Sequence, residues 1–261
     1  MESAVVTGAG RGIGRAIASR LVRRGYQVVA ADIDTALVRR TAAEIGAAEA
    51  VTQDVRDEDS HRSLAAAAAE HGRLAVWVNN AGVGDDGALA ELSSEQVRRL
   101  VEINLLGVTW GMRAALDALG PEGGDIVNVA SASGLGPVPG LSVYAATKAA
   151  VVSLTTSVAV EAPRGVRVHA LCPDGVDTDL VAAMAHDGAA KALVHSGGRL
   201  LTVDEVGREA VALIGSRRVV RSLPAWRGGL IRAGSLAPSV SGQGFALMAG
   251  LGRRVIRRRE G

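Results

Sequence analysis

Tyr144 and Lys148 stand four residues apart in Tyr144-Ala145-Ala146-Thr147-Lys148, which puts a phenol and an ammonium on one face of a helix. A free phenol ionises near pH 10 and is a poor base at neutral pH. A cation held beside it favours the phenolate and brings its pKa toward the range useful for proton transfer. The chain has only two tyrosines, and the other, Tyr26, precedes the second apolar run. Ser131 directly follows the apolar run 125–130, where its hydroxyl can stabilise charge developing on a substrate oxygen. Singly, these residues have plainer readings: a core aromatic, a solvated lysine, a turn-capping serine. Their joint spacing, and the motif upstream of them, points to chemistry.

That motif is Thr7-Gly8-Ala9-Gly10-Arg11-Gly12-Ile13-Gly14, which ends the first apolar run and opens a helical stretch. Gly8, Gly10, Gly12 and Gly14 let the backbone turn tightly and approach a pyrophosphate, and the helix N-terminus offers unpaired N–H groups and the positive end of its dipole. A glycine pattern in strand–turn–helix context is the dinucleotide-binding form. Asp32, at the end of the second run, can accept hydrogen bonds from an adenosine ribose and repels a 2′-phosphate, which favours NAD over NADP. Arg11 argues the other way. Asp32 carries more weight because Ile33, not a base, stands beside it.

Seven short apolar runs, at residues 3–7, 27–31, 49–53, 74–78, 125–130, 166–171 and 218–223, alternate with helical stretches at 12–24, 35–45, 58–70, 93–119 and 142–161. Runs rich in Val, Ile and Leu without strict alternation suit strands covered on both faces. The pattern predicts an α/β fold, a Rossmann-type doubly wound parallel sheet in a single domain, with ligands at the carboxyl ends of the strands. Ser93 or Ser94 caps the fourth helix, and 179–201 reads as a partly helical, mobile loop. A length of 261 residues suits one such domain. Cys172 is the only cysteine, which excludes an internal disulfide and a cysteine-rich metal site. The five histidines (His61, His71, His169, His186, His195) show no ligand pair on one helix, so no metal is expected. No Gly-x-Ser-x-Gly elbow occurs, which disfavours an α/β-hydrolase. Neither a signal peptide nor an apolar run of transmembrane length is expected, and the location expected is cytoplasmic.

Together these residues resemble the classical short-chain dehydrogenase/reductases, from about residue 4 to residue 178. The turn from Thr7 to Gly14 resembles the family's cofactor motif. Asp54-Val55 resembles its adenine-contacting pair, and Asn79-Asn80-Ala81-Gly82 its signature flanking the adenosine. Asn104, Ser131, Tyr144 and Lys148 resemble its catalytic tetrad, and Val176 and Thr178 the loop that holds the nicotinamide carboxamide. The resemblance implies hydride transfer between NAD(H) and a secondary alcohol or ketone. Tyr144 would be the acid–base. Lys148, together with an oxidised nicotinamide, would lower its pKa, and Lys148 would also hold the nicotinamide ribose. Ser131 would stabilise the substrate oxygen, and Asn104 would support a water relay. It also implies a homo-dimer or homo-tetramer. The small apolar residues at 133–143, with the loops 82–92 and 179–201, suggest a fairly hydrophobic substrate. Two other readings keep the fold without net redox chemistry: an NAD-binding sensor, and an NAD-using lyase or epimerase.

Two segments depart from the family. Asp174 replaces the usual glycine in Cys172-Pro173-Asp174-Gly175, and His169 stands where Asn is common. Residues 1–223 read as the NAD-binding and catalytic domain, and 224–261 as an atypical basic extension, part of the same domain or a cover over cleft or interface. From Arg217 onward the chain has ten Arg and one acid, a net +9 against −7 for residues 1–216. On a helical wheel Leu247, Met248, Leu251 and Val255 share a side, with most of the late arginines of Arg253-Arg254-Val255-Ile256-Arg257-Arg258-Arg259 opposite. A packed cover, a solvated tail and a peripheral membrane contact compete for this segment. Nucleic-acid binding is not expected, since no aromatic platform accompanies the arginines.

Overall fold

Runs of Val, Ala and Ile that bury both faces become the strands of one parallel sheet. In the computed structural model, which describes residues 1–185, 188–236 and 248–256, these are β1 (Glu2–Thr7), β2 (Gln27–Asp32), β3 (Glu49–Thr52), β4 (Arg73–Asn79), β5 (Gly124–Val129), β6 (Val166–Pro173) and β7 (Val220–Leu223). Their order is β3-β2-β1-β4-β5-β6-β7, every pair parallel. The order reverses between β1 and β4, and at such a switch point the carboxyl ends of neighbouring strands part to leave a crevice. All six residues of β5 are buried, as a central strand requires.

Each face of the sheet has its own core. On one, Val6, Val28 and Val127 meet Ile17 and Leu21 of α1 (Gly12–Arg23), Val38 of α2 (Thr35–Ile45), and Val206 and Ala210 of α9 (Val203–Leu213). On the other, Val5, Trp77 and Ile126 meet Leu64 of α3 (Glu58–Glu70), Met112 of α5 (Gly107–Ala118) and Val151 of α6 (Ser142–Glu161). This is the doubly wound Rossmann arrangement that the alternating pattern predicts. A buried polar seam ties the second layer to the sheet. Asn79 accepts from Trp77 Nε1 and donates to Asn128, which donates to Thr155 of α6. Gly111 makes room for it, since a Cβ there would lie 2.0 Å from Asn79 Oδ1.

Three readings are corrected here. The stretch 93–119 is not one helix: α4 (Ser94–Val101), opened by a Ser93–Gln96 capping box, runs into a π-helical turn, Glu102–Leu106, before α5. The helix α9 follows a Thr202–Glu205 capping box that the periodicity reading passed over. Among the described residues one helix, α6, is long and apolar enough to cross a membrane by length and composition alone. It nevertheless carries buried Lys148 and packs on β6, as a core helix does. Within 179–201, α7 (Asp179–Ala182) and α8 (Ala189–His195) are helical, as the partly helical reading had it.

The third correction concerns the extension. After β7, α10 (Ala225–Ser235) lies against the 3-10 turn Ala132–Leu135, and Ser235 Oγ donates to Leu135 O at 3.0 Å. Residues 248–256 are helical, but their buried face runs through Ala249 and Gly252, while Leu251 is exposed. Gly252 sits so close to α8 that a Cβ would fall 1.7 Å from Ala192 O. Of the wheel's apolar side Met248 packs beside this face and Leu251 does not, because close backbone approach selects small residues, not large apolar ones. Leu247 and Arg257, Arg258 and Arg259 lie outside the described residues.

Candidate active site

The carboxyl ends of β1, β4, β5 and β6 open into one cleft of about 570 Å³, within the range of small-molecule and cofactor sites. The glycine turn forms one wall. Gly8 has φ +62° and Gly12 φ +57°, backbone that L side chains rarely adopt. A Cβ on Gly8 would strike Ala81 Cα at 2.8 Å, whereas one on Gly12 would point into open space, its nearest neighbour Thr178 at 3.9 Å. The turn's backbone therefore faces the cleft directly. Arg11, the N-cap of α1, gives no side-chain cap, and the first turn holds no acid. The leading amides of α1 thus lack a side-chain acceptor and present a positive dipole end, a fit for a diphosphate.

Gly10 and Gly14 lie behind this surface and act by packing. Gly10 N donates to Asp32 Oδ2 at 2.9 Å. A Cβ on Gly14 would fall 2.0 Å from Gly8 O, so only glycine lets the helix start against the strand end. Thr7 accepts from Asn80 N and Ala81 N, and Asn80 Nδ2 donates to Thr7 O and Gly8 O, stitching the end of β4 to the turn. Asp32 also accepts from Asp34 N at 3.1 Å, and its half-buried carboxylate faces the cleft beside exposed Ile33. Ile13, Val55, Asn80 and Ala81 line the same end. Asp54 also reaches it, but its carboxylate is bidentate with Arg56, which holds its pKa below the usual range. Arg11 is paired across the cleft with Asp179 at 2.8 Å.

At the other end stand Ser131, Tyr144 and Lys148, three of the four expected catalytic side chains. Ser131 caps the turn Ala132–Leu135, accepting from Ser133 N at 3.1 Å. Gly134 presses that turn onto α6: a Cβ there would sit 2.6 Å from the backbone of Lys148. Tyr144 packs among Leu141, Met184, Leu180 and Val194, and this burial pushes its phenol above 10, while the Ser131 hydroxyl pulls the other way. The lowering expected from the sequence takes Lys148 and an oxidised nicotinamide together, and in the chain alone burial prevails. Lys148 Nζ donates to Val129 O at 3.0 Å and lies 5.8 Å from the Tyr144 ring centroid, so it is no direct partner of the phenol. Lys148 itself is buried, and loss of hydration lowers its pKa to about 8.

Asn104, fully buried, is set back from the cleft in the π-helical turn, a geometry often found at functional sites. Its Oδ1 accepts from Val83 N and its Nδ2 donates to Val83 O, both at 2.9 Å. Gly82 fills the gap between it and the lysine: a Cβ would meet Asn104 Oδ1 at 3.2 Å and Lys148 Nζ at 3.4 Å. Val176 and Thr178 border the cleft from the loop after β6, where Val176 bridges Leu201. Sequence reasoning missed one pair altogether. Asp174 in this loop is ion-paired with Arg227 of α10, and both side chains are nearly buried. Arg227 also donates to Leu193 O at 3.0 Å and Ser196 Oγ at 2.6 Å. An acid replacing a glycine, with an unexplained arginine downstream, was the only signal. Among the described residues no cluster of three or more His, Cys, Asp or Glu is placed to hold a metal.

The sequence profile of the short chain dehydrogenase family matches residues 2–189. Sorbitol dehydrogenase of Cereibacter sphaeroides is 42% identical over 181 residues, 67% of this chain and 71% of that one. Cis-4-hydroxycyclohexanecarboxylate dehydrogenase of Sinomonas cyclohexanicum is 43% identical over 223 residues, 82% of this chain and 88% of the relative. Among solved structures, a short-chain dehydrogenase/reductase from Burkholderia phymatum in complex with NAD superposes with a TM-score of 0.78 at 30% identity, covering 88% of this chain and 92% of that one.

Proposed function

This chain belongs to the short-chain dehydrogenase/reductase family of oxidoreductases, and on that premise we propose that it interconverts a fairly hydrophobic secondary alcohol and its ketone with NAD(H). The observation that carries this reading is the convergence of Ser131, Tyr144 and Lys148 on the cleft whose far wall is the glycine turn. When bound, the nicotinamide supplies hydride acceptance or donation at the substrate carbon. The chain's own residues handle the oxygen. Tyr144 takes the hydroxyl proton during oxidation and returns it during reduction. Ser131 donates a hydrogen bond to the same oxygen and steadies its developing charge. Lys148 stays cationic at neutral pH and supplies positive potential from its place between Gly82 and Val129. In the chain alone burial opposes phenolate formation, so the lowering required for base catalysis depends on added positive charge at the nicotinamide end.

Asn104 fixes the Val83 backbone beside Lys148, and the proton relay to solvent passes this point. Val176 and Thr178 hold the carboxamide, while Asp54 and Val55 border the adenine. Asp32 favours NAD over NADP: its carboxylate repels a 2′-phosphate, and the counter-argument weakens because Arg11 is engaged by Asp179. Val83, Leu141, Val181, Met184 and Val194 line the substrate end, which supports an apolar substrate. Residues 224–261 belong to the same domain and act as a cover, on the support of α10 against the turn after Ser131 and residues 248–256 against α8. Small residues and Val160 on the outer face of α6 support a homo-dimer or homo-tetramer. The test is net NADH formation from NAD with a panel of hydrophobic secondary alcohols. Turnover is the expected result; tight NAD binding without it favours the sensor or lyase readings.

A further inference from the structure

Helix α10 is turned inside out. Its inward face carries Arg227, Gly228, Ile231 and Ser235. Arg227 is buried in its ion pair, Gly228 abuts Ser222, and Ser235 bonds Leu135 O. Its outward face carries Trp226, Gly229, Leu230 and Ala233, with Leu236 just beyond the last turn, all exposed. Trp226 is 61% exposed, Leu230 52% and Leu236 88%. Spacings of four and three residues place Trp226, Leu230 and Ala233 in one stripe. A surface helix in water shows the reverse, apolar side in and polar side out.

The surrounding chain has a matching charge bias. Residues 210–259 contain ten arginines and not one carboxylate. Arg217 and Arg218 before β7, Arg232 in α10, and Arg253 and Arg254 in the later helix are exposed. We propose that this face is a docking surface for an anionic lipid membrane. Trp226, Leu230 and Leu236 enter the boundary between headgroups and acyl chains, and the arginines meet lipid phosphates. Trp is suited to that depth because one end of its ring system is apolar and the other donates a hydrogen bond. A second copy of this chain is the poorer occupant, because a two-fold contact places the same patch on both sides. Apart from Arg221 and Arg227, which are ion-paired with Glu209 and Asp174, the arginines of one such segment would then face those of another. The inference stands on this surface alone and does not depend on the substrate reading.

The experiment is co-sedimentation of the full chain with vesicles of phosphatidylglycerol mixed into phosphatidylcholine, and with phosphatidylcholine alone, at low and high salt. Expected are binding to the anionic vesicles, at least about tenfold weaker binding to the neutral ones, and release by salt. Trp226 emission shifts to the blue on binding, a signal lost in Trp226→Phe, which still binds. The double variant Trp226→Ser with Leu230→Ser loses vesicle affinity by about tenfold or more, while its melting temperature and turnover in solution match the parent. Failure to bind anionic vesicles overturns the proposal. So does binding that the double variant leaves intact, since the arginines alone would then carry it. A dimer in light scattering that Leu230→Asp splits, with no vesicle binding by the parent, assigns the face to a second copy.

Discussion

Arg227→Met isolates an ion pair that ties the extension to the cleft. The parent holds Asp174 and Arg227 together with both side chains nearly out of water. Burial pushes the Asp174 carboxyl up, and the Arg227 guanidinium draws it part of the way back. Deleting one partner of a buried pair leaves the other charge uncompensated and costs roughly 3–5 kcal/mol. At about 2–4 °C per kcal/mol for a chain of this size, the melting temperature falls by roughly 10 °C. The loss has a pH signature. A carboxyl whose pKa is raised in the fold keeps its proton where the unfolded chain has released it, so it costs stability as pH rises from 3.8 through the folded value. Without Arg227 that folded value climbs further. The Arg227→Met penalty is therefore small in acid and full near neutrality. Asp174→Asn in the same background recovers part of the loss, because an amide needs no counter-ion. Thermal melts of the parent, both single variants and the double variant across this pH range supply the assay. If Arg227→Met and the double variant melt together at every pH, the two side chains are not coupled and the reasoning fails.

Asp32→Ser removes the carboxylate facing the adenosine end, and the ratio of kcat/KM for NAD over NADP is expected to fall by tenfold or more; comparable efficiency with both cofactors in the parent contradicts the Asp32 argument. Lys148→Met tests the buried ammonium. A lysine whose folded pKa falls to about 8 releases its proton before the unfolded chain does, so its burial cost is present below that value and fades as pH rises toward 10.5. The stability gap between Lys148→Met and the parent should close by up to about 3 kcal/mol over that window, read by chemical denaturation at each pH, and a gap that does not change with pH contradicts the burial seen here.

The sheet was legible because strands covered on both faces must be apolar throughout, and six of the seven runs are plainly so. The glycine turn was legible because positive φ at Gly8 and Gly12 and close packing at Gly14 leave no other residue type suitable. The π-helical turn was not, because no Pro or Gly interrupts 94–106 and the apolar spacing continues through it. α9 was written locally in Thr202 and Glu205, a capping signal that periodicity alone does not weigh. Neighbours in sequence misled in one respect. Lys148 is on the Tyr144 face of α6, yet its ammonium is drawn to Val129 O, a partner that only the folded sheet brings near. The Asp174–Arg227 pair is invisible for the same reason, since its members are 53 residues apart and meet only when α10 folds back on the β6 loop.

The central claim is that the Tyr144 hydroxyl moves the proton at the substrate oxygen. Single-turnover reduction of NAD by an accepted alcohol, in the parent and in Tyr144→Phe, tests it most directly when NAD binding is measured alongside by fluorescence. The account predicts that Tyr144→Phe binds NAD as the parent does and loses a hundredfold or more of the hydride-transfer rate, in keeping with the roughly 10²–10⁴-fold contribution of a positioned acid–base. Transfer at the parental rate in Tyr144→Phe would contradict it.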